Sequence, residues 1–190
     1  MTPTQLFDSV RYYTNRPNES TTVLERWADM ATGRLNTTLR DHPRMYRQGQ
    51  YTAGVGQTQI PLPYDCLRIR GLRRGTTNLP QFTQANVIVD CDDGFIERGD
   101  CLELTVAPTE ETVYTINYHQ ALTPPTVNGG VNWVLQFFPD TYLYTTLSEA
   151  AVSLKDRENG PVWEQLAKER LAFLVAQGWD QNLADAPRCR

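Results

Sequence analysis

Apolar positions recur along this chain with two different periods, and the changes of period divide it into three stretches. Leu6, Phe7, Val10 and Tyr13 repeat at helical spacing, and after a break at Pro17 so do Leu24, Trp27, Ala31, Leu35 and Leu39. Two amphipathic helices are predicted. Thr22 with Glu25 three residues on predicts a capping-box start for the second, and Pro43 predicts that it stops before that residue. From Arg44 to about Gln120 the period becomes two. Leu67 and Ile69 alternate with Arg68 and Arg70; Leu102, Leu104 and Val106 alternate with Glu103 and Thr105; Tyr114, Ile116 and Tyr118 alternate with Val113, Thr115 and Asn117. These are predicted half-buried strands. Gly54, Gly56, Pro61, Pro63, Gly75, Pro80, Asp93-Gly94, Gly99-Asp100 and Pro108 supply the turn chemistry of an antiparallel sheet or small barrel.

From Asp140, a natural N-cap, the helical period returns in Leu143, Leu147, Ala151 and Leu154. A further helix is predicted to start at Pro161, to bury Trp163, Ala167, Leu171 and Leu174, and to end at Gly178 in a left-handed conformation. The short link 155–160 makes the last two helices an antiparallel hairpin. The fold class expected is α+β: a helical bundle from residues 1–43 and 131–178, an inserted antiparallel β-rich lobe over 44–130, and an extended arm over 179–190 without periodicity. The length of 190 residues suits one domain, or a small domain with another inserted into it.

With 40% hydrophobic and 21% charged residues the composition is that of a globular protein, which excludes a disordered tail or a fibrous repeat. The most apolar run, Val131 to Phe138, is interrupted by Asn132 and Gln136 and is far shorter than the ~20 residues a bilayer span needs. No basic region leads into an apolar one after Met1, so no secretory leader is expected and assembly in a cytoplasm is.

The net charge of -4 conceals two blocks of opposite sign. Residues 34–74 carry eight arginines against Asp41 and Asp65, a balance of +6. Residues 75–120 carry eight carboxylates against Arg98, a balance of -7. Such blocks point to one fold with complementary faces, or to two copies meeting face to face. Arg68, Arg70, Arg73 and Arg74 with Asp90, Asp92 and Asp93 are accordingly candidate interface residues. An arginine-lined strand face also fits phosphates, so a nucleic-acid-binding regulatory protein is the alternative reading; the sequence pI of about 5.2 weighs against it.

Catalytic patterns fail one by one. Gly54-Val55-Gly56 has neither a following helix nor a lysine to hold a phosphate. In the stretch Asp90 to Gly94, with Gly94 at the sixth position of a calcium loop, the first would be Val89 and the third Cys91, which do not ligate; a tight hairpin turn accounts for it better. Paired carboxylates such as Glu97 and Glu103 in an acidic lobe read as solvated rather than glycosidic. His119, at the end of a predicted strand, reads as structural, and only His42 is left to serve a nucleophile, which makes a hydrolase a remote third reading. Cys66, Cys91, Cys101 and Cys189 are spread as free thiols rather than as zinc ligands. No catalytic residue, metal or cofactor is expected. Trp133, Phe137, Phe138, Tyr142 and Tyr144 exceed what one helix stripe buries. They read as core between bundle and sheet, or as a partner surface in which Trp133, Phe138 and Tyr142 are anchors.

The runs Asn132-Trp133-Val134-Leu135, Pro139-Asp140-Thr141-Tyr142-Leu143-Tyr144, Glu149-Ala150-Ala151, Leu154-Lys155-Asp156 and Val162-Trp163-Glu164 resemble the C-terminal signature of bacteriophage head-to-tail adaptor proteins. Ile60-Pro61-Leu62-Pro63-Tyr64-Asp65-Cys66-Leu67-Arg68 and Tyr118-His119-Gln120-Ala121-Leu122 are similar in kind to segments of the same proteins. The matching positions run from about Ile60 to Leu174. The resemblance implies a helical bundle with a β-rich insertion that assembles as a dodecameric ring beneath the portal, as in short-tailed phages. It also implies that the ring extends the DNA channel at the head-tail junction of the virion. The implied partners are further copies of the chain, the portal protein, a tail nozzle or tail tube protein and tail fibres, with genomic DNA passing unbound. A C-terminal arm gripping the portal would give roles to Trp179, Leu183, Arg188 and Arg190. Arg157-Glu158-Asn159-Gly160 departs from the pattern, where more acidic residues and no glycine are expected.

Overall fold

The computed structural model describes residues 1–83, 93–126 and 129–184, with the backbone alone for 179–184. The chain divides into two units, one of Met1–Arg44 with Leu122–Arg190, the other of Met45–Ala121. Each is described in turn.

The first unit is helical. Its elements are α1 (Pro3–Tyr13), α2 (Thr21–Thr38), the short α3 (Trp133–Phe137), α4 (Pro139–Leu154) and α5 (Gly160–Ala184). α1 starts at a capping box: the Thr2 hydroxyl accepts from the Gln5 N–H at 3.2 Å, and the Gln5 side chain accepts from the Thr2 N–H at 2.9 Å. Pro3 takes the first helical position, where no N–H is needed. α2 begins two residues earlier than Thr22 and Glu25 predict. Ser20 is its cap, accepting from the Val23 N–H at 3.3 Å, because Thr21 and Thr22 already have helical backbone.

α4 lies at the centre of this unit, packed against α1, α2, α3 and α5. It is buried nearly all round: besides Leu143, Leu147 and Ala151, it buries Thr141, Tyr142, Thr145, Thr146, Ser148 and Ala150. The single apolar stripe expected is therefore too narrow. Polar residues are tolerated there because the Thr145 and Thr146 hydroxyls donate to the carbonyls of Thr141 and Tyr142, at 2.7 and 2.9 Å, leaving no unsatisfied donor. Asp140 is not the N-cap of α4. Phe138 occupies that position without a side-chain hydrogen bond, Pro139 is the first helical residue, and Asp140 lies in the first turn, where its charge faces the positive end of the helix dipole.

α5 does not end at Gly178. It continues to Ala184, so the arm expected from residue 179 is helical over its first six residues; 185–190 lie outside the described residues. Gly178 serves close approach instead: a Cβ there would stand 2.5 Å from His42 Cδ2 and 3.2 Å from Pro43 Cδ. The left-handed residue is Lys155, which closes α4 at φ 57°. Trp163, Ala167, Leu171 and Leu174 are buried as their spacing predicts.

The second unit holds two four-stranded sheets. Strands β1 (Tyr46–Ala53), β8 (Thr112–Gln120), β3 (Cys66–Arg74) and β4 (Thr77–Leu79) form one, in that order. β2 (Gln59–Pro61), β7 (Cys101–Leu104), β6 (Phe95–Arg98) and β5 (Gln81–Phe82) form the other. They share one apolar core in which Ile69, Leu72, Tyr114 and Ile116 from the first sheet meet Ile60, Phe95, Leu102 and Leu104 from the second. The turns Gly75-Thr76 and Gly99-Asp100 are the two-residue hairpin loops that Gly at positive φ permits.

Three details depart from the alternation pattern. Pairing is antiparallel throughout except between β5 and β6, which run parallel. Val106 lies beyond the end of β7 and is exposed, since the chain has already turned out of the sheet at Thr105. The turn expected at Asp90 to Gly94 falls mostly outside the described residues; Gly94 itself leads directly into β6.

Candidate partner-contacting surfaces

The arginines of β3 do not act as one block. Arg68 and Arg70 are exposed, Arg73 and Arg74 half-buried. In register, Arg68 lies beside His119 and Tyr46 across the sheet, and Arg73 beside Thr115 and Gln50. A register shift between Ile69 and Gly71 separates the two pairs of arginines, so simple alternation does not place all four on one face.

The opposite-sign blocks are partly closed on each other inside this unit. Arg74 of the basic block pairs with Asp93 of the acidic one, whereas Arg98 and Glu103 pair within the acidic block. The pair with Asp93 engages the Arg74 guanidinium, which stays partly exposed. Asp90 and Asp92 lie outside the described residues. Cys66 and Cys101 are free, and burial pushes the Cys66 thiol up, which makes it less of a nucleophile at neutral pH.

In the helical unit the aromatic cluster splits between surface and core. Tyr142 has no exposed surface, so it is not a partner anchor in the folded chain. Its hydroxyl is hydrogen-bonded to that of Thr32 and donates to the Ala28 carbonyl at 3.2 Å, and burial pushes its pKa far up. Trp133 and Phe138 are half-buried and meet edge to face, with ring centres 6.1 Å apart. His42 stacks on Trp133 at 5.0 Å. The Arg44 guanidinium lies 5.1 to 5.8 Å from the centres of Phe137, Trp133 and Phe138, with Phe137 itself exposed. One cation over three rings is worth more than a single surface contact of about 0.5–1 kcal/mol.

Arg44 belongs to the basic block in the sequence. Its aromatic setting was not legible there, because the residues that surround it are some ninety positions away.

His42 is held neutral. Its Nδ1 accepts from the Arg44 N–H at 3.1 Å, and burial, then the Arg44 charge, push its pKa down, against a hydrogen bond with the Leu174 backbone. It lines a pocket of about 160 Å³ with residues from Thr37 to Pro43, Val175 and Gly178. Both ring nitrogens being engaged, this histidine positions structure rather than moving protons.

Sequence reasoning missed a third constellation. Arg34 on α2 grips Glu164 on α5 with two parallel bonds of 2.7 and 2.9 Å, and donates to Ser148 on α4 at 3.3 Å. Glu149 stands 3.7 Å away, and Lys168 adds a second cation to Glu164 at 3.1 Å. The Arg34 bonds hold the Glu164 carboxyl well below the usual range, at about 2. This network ties three helices together. No local motif announces it, since its members are joined only by the fold.

Large apolar side chains are exposed at Tyr12, Tyr13, Val152, Val162 and Phe173 in this unit and at Tyr64 in the other. Trp179 and Leu183 lie on the last turns of α5; Arg188 and Arg190 are outside the described residues. No helix among the described residues is long and apolar enough to cross a membrane.

These surfaces carry exposed guanidinium groups and exposed rings. A comparison with protein families matches residues 1–188 to the model of the SU10 adaptor protein. No curated protein matches the chain.

Proposed function

The chain belongs to the SU10 adaptor protein family, the structural head-tail adaptors of phages, and from that premise we propose that it forms a ring between the portal and the tail. In this reading twelve copies surround and prolong the DNA channel. The genome passes without specific binding, and the outer surface docks the tail nozzle or tail tube protein and tail fibres. The observation that carries the reading is the family match over nearly the whole chain, supported by a bundle built from both chain ends with the strands inserted between them.

Within that reading Arg68, Arg70 and Arg73, together with the Trp133 and Phe138 rim, serve contacts to neighbouring copies or partners. Residues 179–190, with Trp179, Leu183, Arg188 and Arg190, engage the portal. Boundaries near 44 and 130 for the inserted lobe and near 178 for the portal-binding segment go with this assignment of roles.

The experiment is the mass of the 21.7 kDa chain in solution, alone and mixed with its portal. A ring-sized complex on the portal is expected. Failure of the chain to associate with the portal at any ratio would sink the reading. Removing residues 185–190 is expected to weaken portal association while leaving the circular dichroism of the helices unchanged. The idea that acidic residues line the channel is tested by Asp92→Lys with DNA ejection as readout; unchanged ejection counts against it.

A further inference from the structure

Of the four sheet edges in the strand unit, three are short. β2 has three residues and ends in Pro61, β4 has three and is followed by Pro80, and β5 has two. Proline lacks the N–H that a growing ladder needs, so these edges are closed in the way soluble proteins close them. The fourth edge is not. β1 runs eight residues without a proline and pairs with β8 on one side. Among the described residues no strand pairs with its other side, and the Arg47 guanidinium donates to the Tyr46 carbonyl at 2.9 Å.

One face of β1 is open as well, while Tyr51 and Ala53 on the other pack into the apolar core. Tyr46, Arg47, Gln48, Gln50 and Thr52 are all exposed, and Arg47 is the one charged residue on the strand. A row of unpaired N–H and C=O groups of this length is a template for another strand.

We propose that β1 pairs antiparallel with β1 of a second copy, joining two four-stranded sheets into one across a two-fold axis at Gln50. The strand's own sequence selects this occupant. Directly opposite residues must share a face and side chains alternate, so β1 can pair with itself only about a residue, not about a bond between residues. Centred on Gln50, the outer face sets Gln48 against Thr52 at both ends and Gln50 against Gln50 at the axis, three pairs that exchange side-chain hydrogen bonds. On the other face Arg47 lies opposite Ala53, so the two arginines stand at opposite ends of the seam with no like charges adjacent, and Tyr51 lies beside Gly49. Centred on Gly49 instead, two glycines would face each other and leave nothing to pack at the axis.

An isologous contact uses the same surface on both copies and closes at two. It therefore adds nothing to a ring and goes beyond the ring reading: it is a form of the unassembled chain, covering an edge that would otherwise recruit other strands. One strand per partner buries less than the ~1,200 Å² of a stable complex, so the pair is weak and able to yield on assembly.

Sedimentation of the full chain from micromolar to near-millimolar concentration tests this without the portal. A monomer–dimer equilibrium is expected, and Gln50→Lys, which sets two cations face to face on an exposed surface, is expected to weaken it about tenfold. Under mild oxidation Gln50→Cys is expected to form a covalent dimer above the background of the native cysteines, because opposite residues lie ~4.5–5.5 Å apart. Gln48→Cys, which faces Thr52, is expected not to. Circular dichroism confirms that each variant is folded. A wild-type chain that stays monomeric throughout, a Gln50→Lys chain that dimerises as well as the wild type, or equal cross-linking of the two cysteine variants would each overturn the proposal. Portal association is unaffected by any of these results, so the two readings fail separately.

Discussion

α4 and β8 are the central elements of their units, and they are specified in opposite ways. β8 buries Tyr114, Ile116 and Tyr118 on one face while Val113, Thr115 and Asn117 face outward. That alternation fixes which of its faces meets the core. α4 buries four hydroxyl residues together with its apolar ones, and its surroundings are fixed by where those hydroxyls and the charges around Ser148 find partners. The strand unit is thus a patterned apolar core with charges at its rim, whereas the helical unit carries hydrogen bonds and an ion-pair network between its helices. Patterned cores tolerate exchange of one apolar residue for another; networks do not tolerate loss of one member.

Five substitutions separate the two kinds of order, beginning with the largest effect. Leu147→Ala removes a fully buried side chain at the centre of α4 and is expected to cost ~3 kcal/mol in urea denaturation; a loss well under 1 would mean that the bundle core collapses onto the gap. Arg34→Ala strands Glu164 and Glu149 near Ser148. Arg34 keeps about a quarter of its side chain exposed, so ~2 kcal/mol is expected rather than the 3–5 of a fully buried pair. Arg74→Ala, its counterpart in the strand unit, is expected to cost less than about 1 kcal/mol, since that pair sits at a more open rim. Equal losses at the two arginines would erase the distinction.

Acid titration sharpens the same comparison. The Glu164 carboxyl is depressed from 4.5 to about 2, so its contribution is full above 4.5 and disappears as the pH falls from there towards 2. His42 is lowered from 6.5, so the preference of its site for the neutral ring is lost as the pH falls below that value. Thermal melts from neutral to acid pH are expected to show the wild type losing stability in both steps, and Arg34→Ala losing less in the lower one.

Gly178→Ala falls between the two arginine changes in size. In an open helix the change gains up to ~1 kcal/mol, but here the new methyl presses on the His42 ring, which Trp133 stacking holds in place. A net loss of ~1–2 kcal/mol is expected. The smallest effect is Thr145→Val, within about 0.5 kcal/mol, because the hydroxyl bonds only to its own helix and leaves no stranded partner when removed. A large loss there would show that α4 depends on that bond.

The strands were legible because one-sided burial writes itself into the sequence as alternation, as at Leu102 and Leu104 or Tyr114 to Tyr118. The apolar stripe of α5 was legible from Trp163 to Leu174 for the same reason at helical period. What was not legible depended on residues far apart in the chain. Tyr142 reads as core or as an interface aromatic until Thr32 and Ala28, more than a hundred positions earlier, are found at its hydroxyl. Gly178 reads as a helix end until His42 is found against it. Ser20 and Thr22 are both sound caps locally, and the choice between them turns on where the backbone first becomes helical. Of the candidate interface residues, Arg68 and Arg70 are exposed and Tyr142 is buried.

The pairing of β1 with β8 places Tyr46, the first residue of the inserted strands, opposite His119, one short of the last, so the two ends of those strands lie side by side. To the helices that flank it, the whole insertion is therefore equivalent to a staple some 5 Å wide, not to a long loop whose closure entropy they must bear. Such a module is portable. Its length and surface are free to diverge, or to be replaced by a two-residue linker, while the helical host keeps its own register.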